Sequence, residues 1–273
     1  ATLGNRARQG VTLMTLIAGF ASTIFIPLIS LLIEQVGWRD TFLYLAVILL
    51  VVCVPIHAIV LRRERVPDAG SKDRPRIFTI DLRAGPVATA VRNPAFWWIG
   101  ICITAFSFIM AGVTVHIIPL MQERGFPMTA IIVTTAMIGP MQVAGRIFVT
   151  IFEKWVDFRM TGLISCGCVL TSFALLSFAY PNNNLNYIFP LFYGASQGII
   201  TIVRALAVPE LIGSEAYGAL NGLLGFASTM SLAATPVLIS WIWLISDSYT
   251  APLLTLSIIG VICLLSFIMA VRR

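Results

Sequence analysis

Residues 128–159 read MTAIIVTTAMIGPMQVAGRIFVTIFEKWVDFR. From Met128 to Phe152 the only charged side chain is Arg146. That length exceeds the roughly 20 apolar residues a helix needs to cross a bilayer core. An arginine at the centre of such a helix costs about 2.5–3.5 kcal/mol, so something must compensate for it. In steps of three and four, Thr135, Gly139, Gln142, Arg146, Thr150 and Glu153 form one stripe. A stripe of that composition is poorly suited to lipid. It is expected to face other helices or a water-filled cavity.

The composition around this segment is that of an integral membrane protein. The 273 residues are 58% hydrophobic and 11% charged, with mean hydropathy +0.93. A soluble domain carries about 25% charged residues. The net charge of +6 would suggest nucleic acid in a soluble protein. Here it is assigned to loops on the cytoplasmic side, where Lys and Arg accumulate, and no nucleic-acid partner is expected. Cys53, Cys102, Cys166, Cys168 and Cys263 all fall in apolar runs. No pair has metal-ligand or redox spacing, so they read as small packing residues. A cleavable signal peptide is not visible. The chain opens ATLGNRARQ without a methionine and reads as a fragment.

Working outward, about eight apolar spans are expected, near 9–35, 41–62, 95–121, 128–152, 160–180, 186–207, 217–245 and 250–271. The loops between them alternate in charge. One set holds Arg6 and Arg8, the run from Arg62 to Arg92, Lys154 with Arg159, the segment after Arg204, and Arg272 with Arg273. The other holds Arg39 and Arg124, each beside an acid. Both termini therefore fall on the basic, cytoplasmic side. Residues 63–94, rich in charge, Pro and Gly, read as a cytoplasmic linker, with a short surface helix near Asp81–Arg92. The linker divides the chain into residues 1–62, the last two helices of an N-terminal half, and 95–273, a six-helix C-terminal half.

The first and seventh spans share GFAST, at Gly19–Thr23 and Gly225–Thr229, followed by Pro27 and Pro236. The pairs they open end at Arg62-Arg63 and Arg272-Arg273. A same-orientation repeat of six helices predicts twelve in all, four of them before Ala1. The small and polar residues of those two spans suit close helix packing. The second and eighth spans, nearly pure Leu, Ile and Val, suit lipid. Trp38, Trp97, Trp98, Trp155, Trp241 and Trp243 lie near span ends, where aromatic belts form.

At this point the chain resembles a transporter of the major facilitator superfamily, from its fifth helix to its twelfth. NRARQG (Asn5–Gly10) and PLISLLIEQVGWRDTF (Pro27–Phe42) resemble the fifth helix and the outer turn into the sixth. VRNPAFWW (Val91–Trp98) resembles the approach to the seventh, and GPMQVAGR (Gly139–Arg146) the eighth. VPELIGSEAYGALNG (Val208–Gly222) resembles the loop into the eleventh, as in monocarboxylate-type and related bacterial carriers. The resemblance implies an all-α membrane protein, a helical bundle of parallel six-helix halves. It further implies a secondary active transporter that moves a small solute by alternating access, in a bacterial inner membrane. Two departures stand out. The loop after the eighth helix keeps Lys154, Asp157 and Arg159 but lacks the glycines of the Gly-x-x-x-Asp-Arg-x-Gly signature. Where monocarboxylate carriers place an aspartate one turn before the arginine, this chain has Gln142.

Arg146 is the leading candidate, its planar fork suited to a carboxylate or other anion. The alternative is a packing role with a carbonyl, a helix dipole or Glu153. Gln142, His116, Gln197 and Asn221 are further substrate-site candidates. Arg204, Glu210, Lys154 and Asp157 are gating candidates, with Arg204 expected to snorkel or pair near Glu210. His116 is either a proton-exchanging group or a satisfied structural histidine. A coupled proton is carried as a further partner, because no carboxylate lies mid-span. Membrane-enzyme constellations and a nucleotide-binding loop are not found, so neither an enzyme nor a cofactor is expected. A small organic anion is the expected solute. The alternatives are a polyspecific efflux carrier, with Arg146 structural, and a transport-inactive receptor or scaffold.

Overall fold

The structure, a computed structural model, describes residues 25, 28–29, 31–63, 86–213 and 216–272. The first GFAST copy, most of the span expected at 9–35 and residues 64–85 of the linker lie outside the described residues. Among the described residues all regular structure is helical, and seven helices are long and apolar enough to cross a membrane. The described residues fall into two compact units, one within 21–79 and one from 80 onward.

In the first unit a helical run spans Leu31–Ile59. The sequence predicts a break between two spans near 36–40. The structure keeps helical hydrogen bonding there but sets Gly37 at φ +79°, a left-handed conformation that glycine adopts without steric cost. Thr41 donates to the Gly37 carbonyl at 2.8 Å. Further on, a π-turn at Leu49–Cys53 leads into α1, Val54–Arg63. Its cause is at hand: Pro55 has no N–H to offer and its ring would press on the preceding turn, so the helix widens before it. Leu43, Val47 and Leu50 are exposed.

The second unit begins with α2, Pro86–Arg92, the end of the short helix expected near Asp81–Arg92. Six long helices follow: α3 Pro94–Glu123, α4 Met128–Ile151, α5 Phe158–Ser177, α6 Leu185–Leu211, α7 Tyr217–Ser246 and α8 Thr250–Val271. Each lies within a few residues of its expected span. Local chemistry sets their ends. Asn93 accepts from the Ala95 N–H at 3.0 Å and Pro94 follows at the first helical position, where its missing N–H costs nothing. At the far end of α3, Gly125 (φ +79°) donates to Gln122 O and Phe126 to Met121 O, the paired bonds of a Schellman stop.

Within this unit α6 packs along α4 and α5, α3 packs along α7 and α8, and α5 joins the two groups at α8. The short loops give an up-and-down order. The starts of α3 and α5 meet the ends of α6 and α8 around one cleft, lined by Asn93, Asp157, Arg159, Glu210 and Arg272. This is the basic end. At the opposite end two adjacent charges tie three helices together. Arg124 donates to the Leu176 and Ala179 carbonyls at the C-terminus of α5. Glu123 accepts from the Tyr249 N–H at 2.7 Å, where α8 begins, and from Ser248 and Trp243 at 3.2 Å. Each charge sits at the helix end whose dipole it complements.

Lipid chains are as apolar as leucine, so burial alone does not hold helices together here. Close backbone approach does. A Cβ on Gly145 would stand 2.5 Å from the Ala195 carbonyl oxygen, and one on Gly194 would stand 2.6 Å from the Ile138 carbonyl oxygen. A Cβ on Gly198 would overlap the Gln142 carbonyl. Between α5 and α6, Ser165 and Ser196 donate to each other's carbonyls at 3.1 and 2.8 Å.

Gly198→Leu is expected to destabilise the protein by about 3 kcal/mol or more, since backbone rather than a flexible side chain is in the way. Gly167→Leu, where a Cβ meets nothing within 4 Å, is expected to stay within about 1 kcal/mol of wild type. Melting curves of the two detergent-solubilised variants check this. Arg124→Ala is expected to lower the melting temperature by a few degrees through the uncapped end of α5, with Arg124→Lys recovering most of the loss.

Candidate functional site

The seam between α4 and α6 carries the site. The glycine contacts bring the α4 stripe against α6 with almost no space between the backbones. Arg146, at 9% exposure, is pinned there. Its Nε donates to Thr201 Oγ1 at 3.2 Å, and Thr201 in turn donates to the Gly198 carbonyl at 2.7 Å. Arg146 Nη1 is buried and has no hydrogen-bond partner among the described residues. A guanidinium carries five N–H donors and no acceptor, and leaving a buried donor of a charged group unmade costs free energy. The rest of the stripe, Thr135, Gly139, Gln142, Thr150 and Glu153, is neither fully buried nor fully exposed.

Gln142 lies against Gly198 through its backbone, one turn from Arg146. Gln197 is buried beside Gly198 and donates to the Tyr193 hydroxyl at 2.8 Å. Arg146 and Gln142 therefore share the α4 side of one seam, and Gln197 lies on α6 beside its Gly198. His116 and Asn221 do not join them. Asn221 is half-buried in the second turn of α7. His116, at 6% exposure, lies near the other end of α3. Its Nε2 is 3.2 Å from the Pro236 carbonyl and its Nδ1 3.2 Å from the Tyr249 hydroxyl. A carbonyl only accepts, so in the neutral ring Nε2 bears the hydrogen and Nδ1 accepts from Tyr249. Burial and the neighbouring Glu123 push the Tyr249 phenol up from its ordinary pKa.

The gating candidates separate as well. Arg204 donates to Ser228 on α7 at 3.1 Å. Glu210 lines the basic-end cleft with Asp157. Asp157 also caps α5, accepting from the Met160 N–H at 2.7 Å, while Lys154 is exposed. Sequence reasoning missed Thr201 as the partner of Arg146, Ser228 as the partner of Arg204, and the Tyr249–Pro236 pair around His116. The α6 face of Tyr193, Gln197, Thr201 and Arg204 was visible in the spacing. Which helix it would meet was not.

A second cavity, of about 490 Å³, is apolar and lies among α3, α7 and α8, with Phe96, Trp97, Phe108, Leu223, Phe226 and Ile262 on its walls.

No curated protein matches the chain. The family model described as Major Facilitator Superfamily matches residues 4–236, which takes in the Arg146 seam, Arg204 and both prolines of the GFAST spans. With that match over most of its length, on a bundle of membrane-crossing helices, the chain belongs to the major facilitator superfamily of membrane transporters.

Proposed function

We propose that this protein is a secondary active transporter of a small organic anion, bound at Arg146 and moved by alternating access between two halves divided near the linker. The observation that carries the reading is the orphaned Nη1 of Arg146. A fixed guanidinium, held at Nε by Thr201 with a donor still open, fits a carboxylate better than a packing role does. Gln142 and Gln197 supply neutral polar groups along the same seam. Arg204, Asn221 and the ring of Asp157, Glu210, Arg159 and Arg272 lie toward the basic end, which we assign to the cytoplasm and to gating. Lys154 belongs to the same end.

In the full natural chain, Arg146→Ala is expected to weaken carboxylate binding about 10- to 100-fold, the worth of a charge-assisted hydrogen bond. Arg146→Lys should recover little, because an ammonium cannot reproduce the fork. Solute-dependent thermal shift and uptake into proteoliposomes measure both. Full transport and affinity in Arg146→Lys would sink the anion reading. A second reading rests on the apolar cavity among α3, α7 and α8: an efflux carrier for apolar compounds, with Arg146 structural. It predicts that such compounds stabilise wild type and Arg146→Ala alike.

The bonding of His116 at both ring nitrogens supports a structural histidine over a proton carrier. His116→Gln, whose amide has both a donor and an acceptor, is expected to leave the pH profile of transport unchanged. A flattened profile would make His116 the coupling group.

A further inference from the structure

Three cysteines that the transport reading does not use converge in the interior of the second unit. Cys102 on α3, Cys166 on α5 and Cys263 on α8 are each fully buried. Cys263 Sγ stands 3.6 Å from Cys102 Sγ and 3.8 Å from Cys166 Sγ, and all three sulfurs lie within 4.8 Å of one another. With bonds to sulfur of about 2.3 Å and angles of about 100°, a pyramidal three-coordinate centre that carries a lone pair sets its sulfurs about 3.5 Å apart. The two shorter separations lie close to that, so the spacing suits an ion that caps the three sulfurs. Depth agrees. Cys102 and Cys166 each lie eight residues past the start of their helix, and Cys263 eight before the end of its own. All three ends are at the basic face, so the sulfurs share a level about 12 Å beneath it.

We propose that Cys102, Cys166 and Cys263 form a binding site for a soft, three-coordinate ion, and that trivalent arsenic or antimony is the class it takes. Softness follows from three sulfur donors. The oxidation state follows from charge. Three thiolates around a monovalent ion would leave two negative charges in the membrane interior, and around a divalent ion one. Uncompensated buried charge is costly. A trivalent centre leaves none. With arsenite as As(OH)3, three As–O bonds break and three As–S bonds form. Each thiol proton leaves with a hydroxide as water, and arsenic stays trivalent throughout.

A closed approach lies between the sulfurs and the basic end. The basic-end cleft, about 500 Å³, is lined by Phe158 of α5 and by Ala270 and Val271 of α8. Beneath it Phe158 and Phe267 meet at 5.9 Å between ring centroids. The Phe267 ring fills the notch left by Gly162. Gly162 and Cys166 are one turn apart on α5, as Phe267 and Cys263 are on α8, so the Phe267 plug separates the cleft from the sulfurs. Capture therefore waits on local opening of these helices.

The test uses the full natural chain, reduced and detergent-solubilised, with Cys53→Ser and Cys168→Ser removing the two other thiols of this sequence. It is incubated at length with arsenite alone and desalted. Native mass spectrometry is expected to show one arsenic per chain with three hydrogens lost, and the melting temperature is expected to rise. Cys102→Ser, Cys166→Ser and Cys263→Ser, added singly, are each expected to cut retention at least tenfold. No retained arsenic in the parent, a loss of only two hydrogens, or retention undiminished by all three single replacements would overturn the proposal. The hydrogen count on the parent decides the matter even where a serine variant folds poorly.

Discussion

The α4–α6 contact depends on three positions where no side chain is tolerated. Gly145, Gly194 and Gly198 let two backbones touch. In a medium that offers helices no hydrophobic incentive to associate, this contact supplies the dispersion and dipole contacts that hold them. It also fixes the chemistry. Thr201 reaches Arg146 only because Gly198, one turn earlier, lets α4 in. Thr201 itself is anchored to the Gly198 carbonyl. The guanidinium is therefore held by a hydroxyl that is itself anchored to backbone, and a charge positioned in that way loses little entropy when it meets an anion.

Charge elsewhere in the unit follows the same economy of placement. Glu123 and Arg124 are adjacent in sequence, yet they do not pair side by side as a surface ion pair would. Each turns to a helix terminus of opposite polarity, one at the start of α8 and one at the end of α5. Backbone groups at helix ends lack intrahelical partners, and near a bilayer water meets that need poorly. Two neighbouring charges thus satisfy two ends at once. Arg204 shows the converse case. It lies near the basic end of α6, where Glu210 is close in sequence. The structure instead joins it to Ser228, a hydroxyl across the α6–α7 seam.

Much of this fold was legible because membrane spans announce themselves one at a time. Hydropathy alone puts a span near 95–121, and the structure seats it at Pro94–Glu123, between Asn93 at one end and the Arg124-Gly125-Phe126-Pro127 turn at the other. The stripe through Arg146 was legible for the same reason, since one helix carries it. What the sequence hid was pairing between helices. Spacing rules for metal sites look for ligands close together in the chain, whereas Cys102, Cys166 and Cys263 are far apart and meet only through packing. A signal was present all the same. Counting residues from the basic ends puts the three at one level, and same-level residues on neighbouring helices are the ones that can touch. Depth, rather than spacing, is the coordinate in which an up-and-down bundle places its side chains together.

That coordinate also separates the two polar histories of α3 and α4. His116 lies near the far end, closed off by Tyr249 and the Pro236 carbonyl, with a partner for each nitrogen. Arg146 lies toward the basic end with a donor left over. A buried polar group whose bonds are complete contributes rigidity, whereas one left incomplete is a standing cost unless something arrives to complete it. Of the two, only the arginine keeps an unmade bond among the described residues. An acceptor with two oxygens and negative charge answers its geometry more fully than a water or a single carbonyl does. Under the proposed reading, a carboxylate that completes this bond on binding gives it up again on leaving, the balance a carrier needs in order to release what it takes.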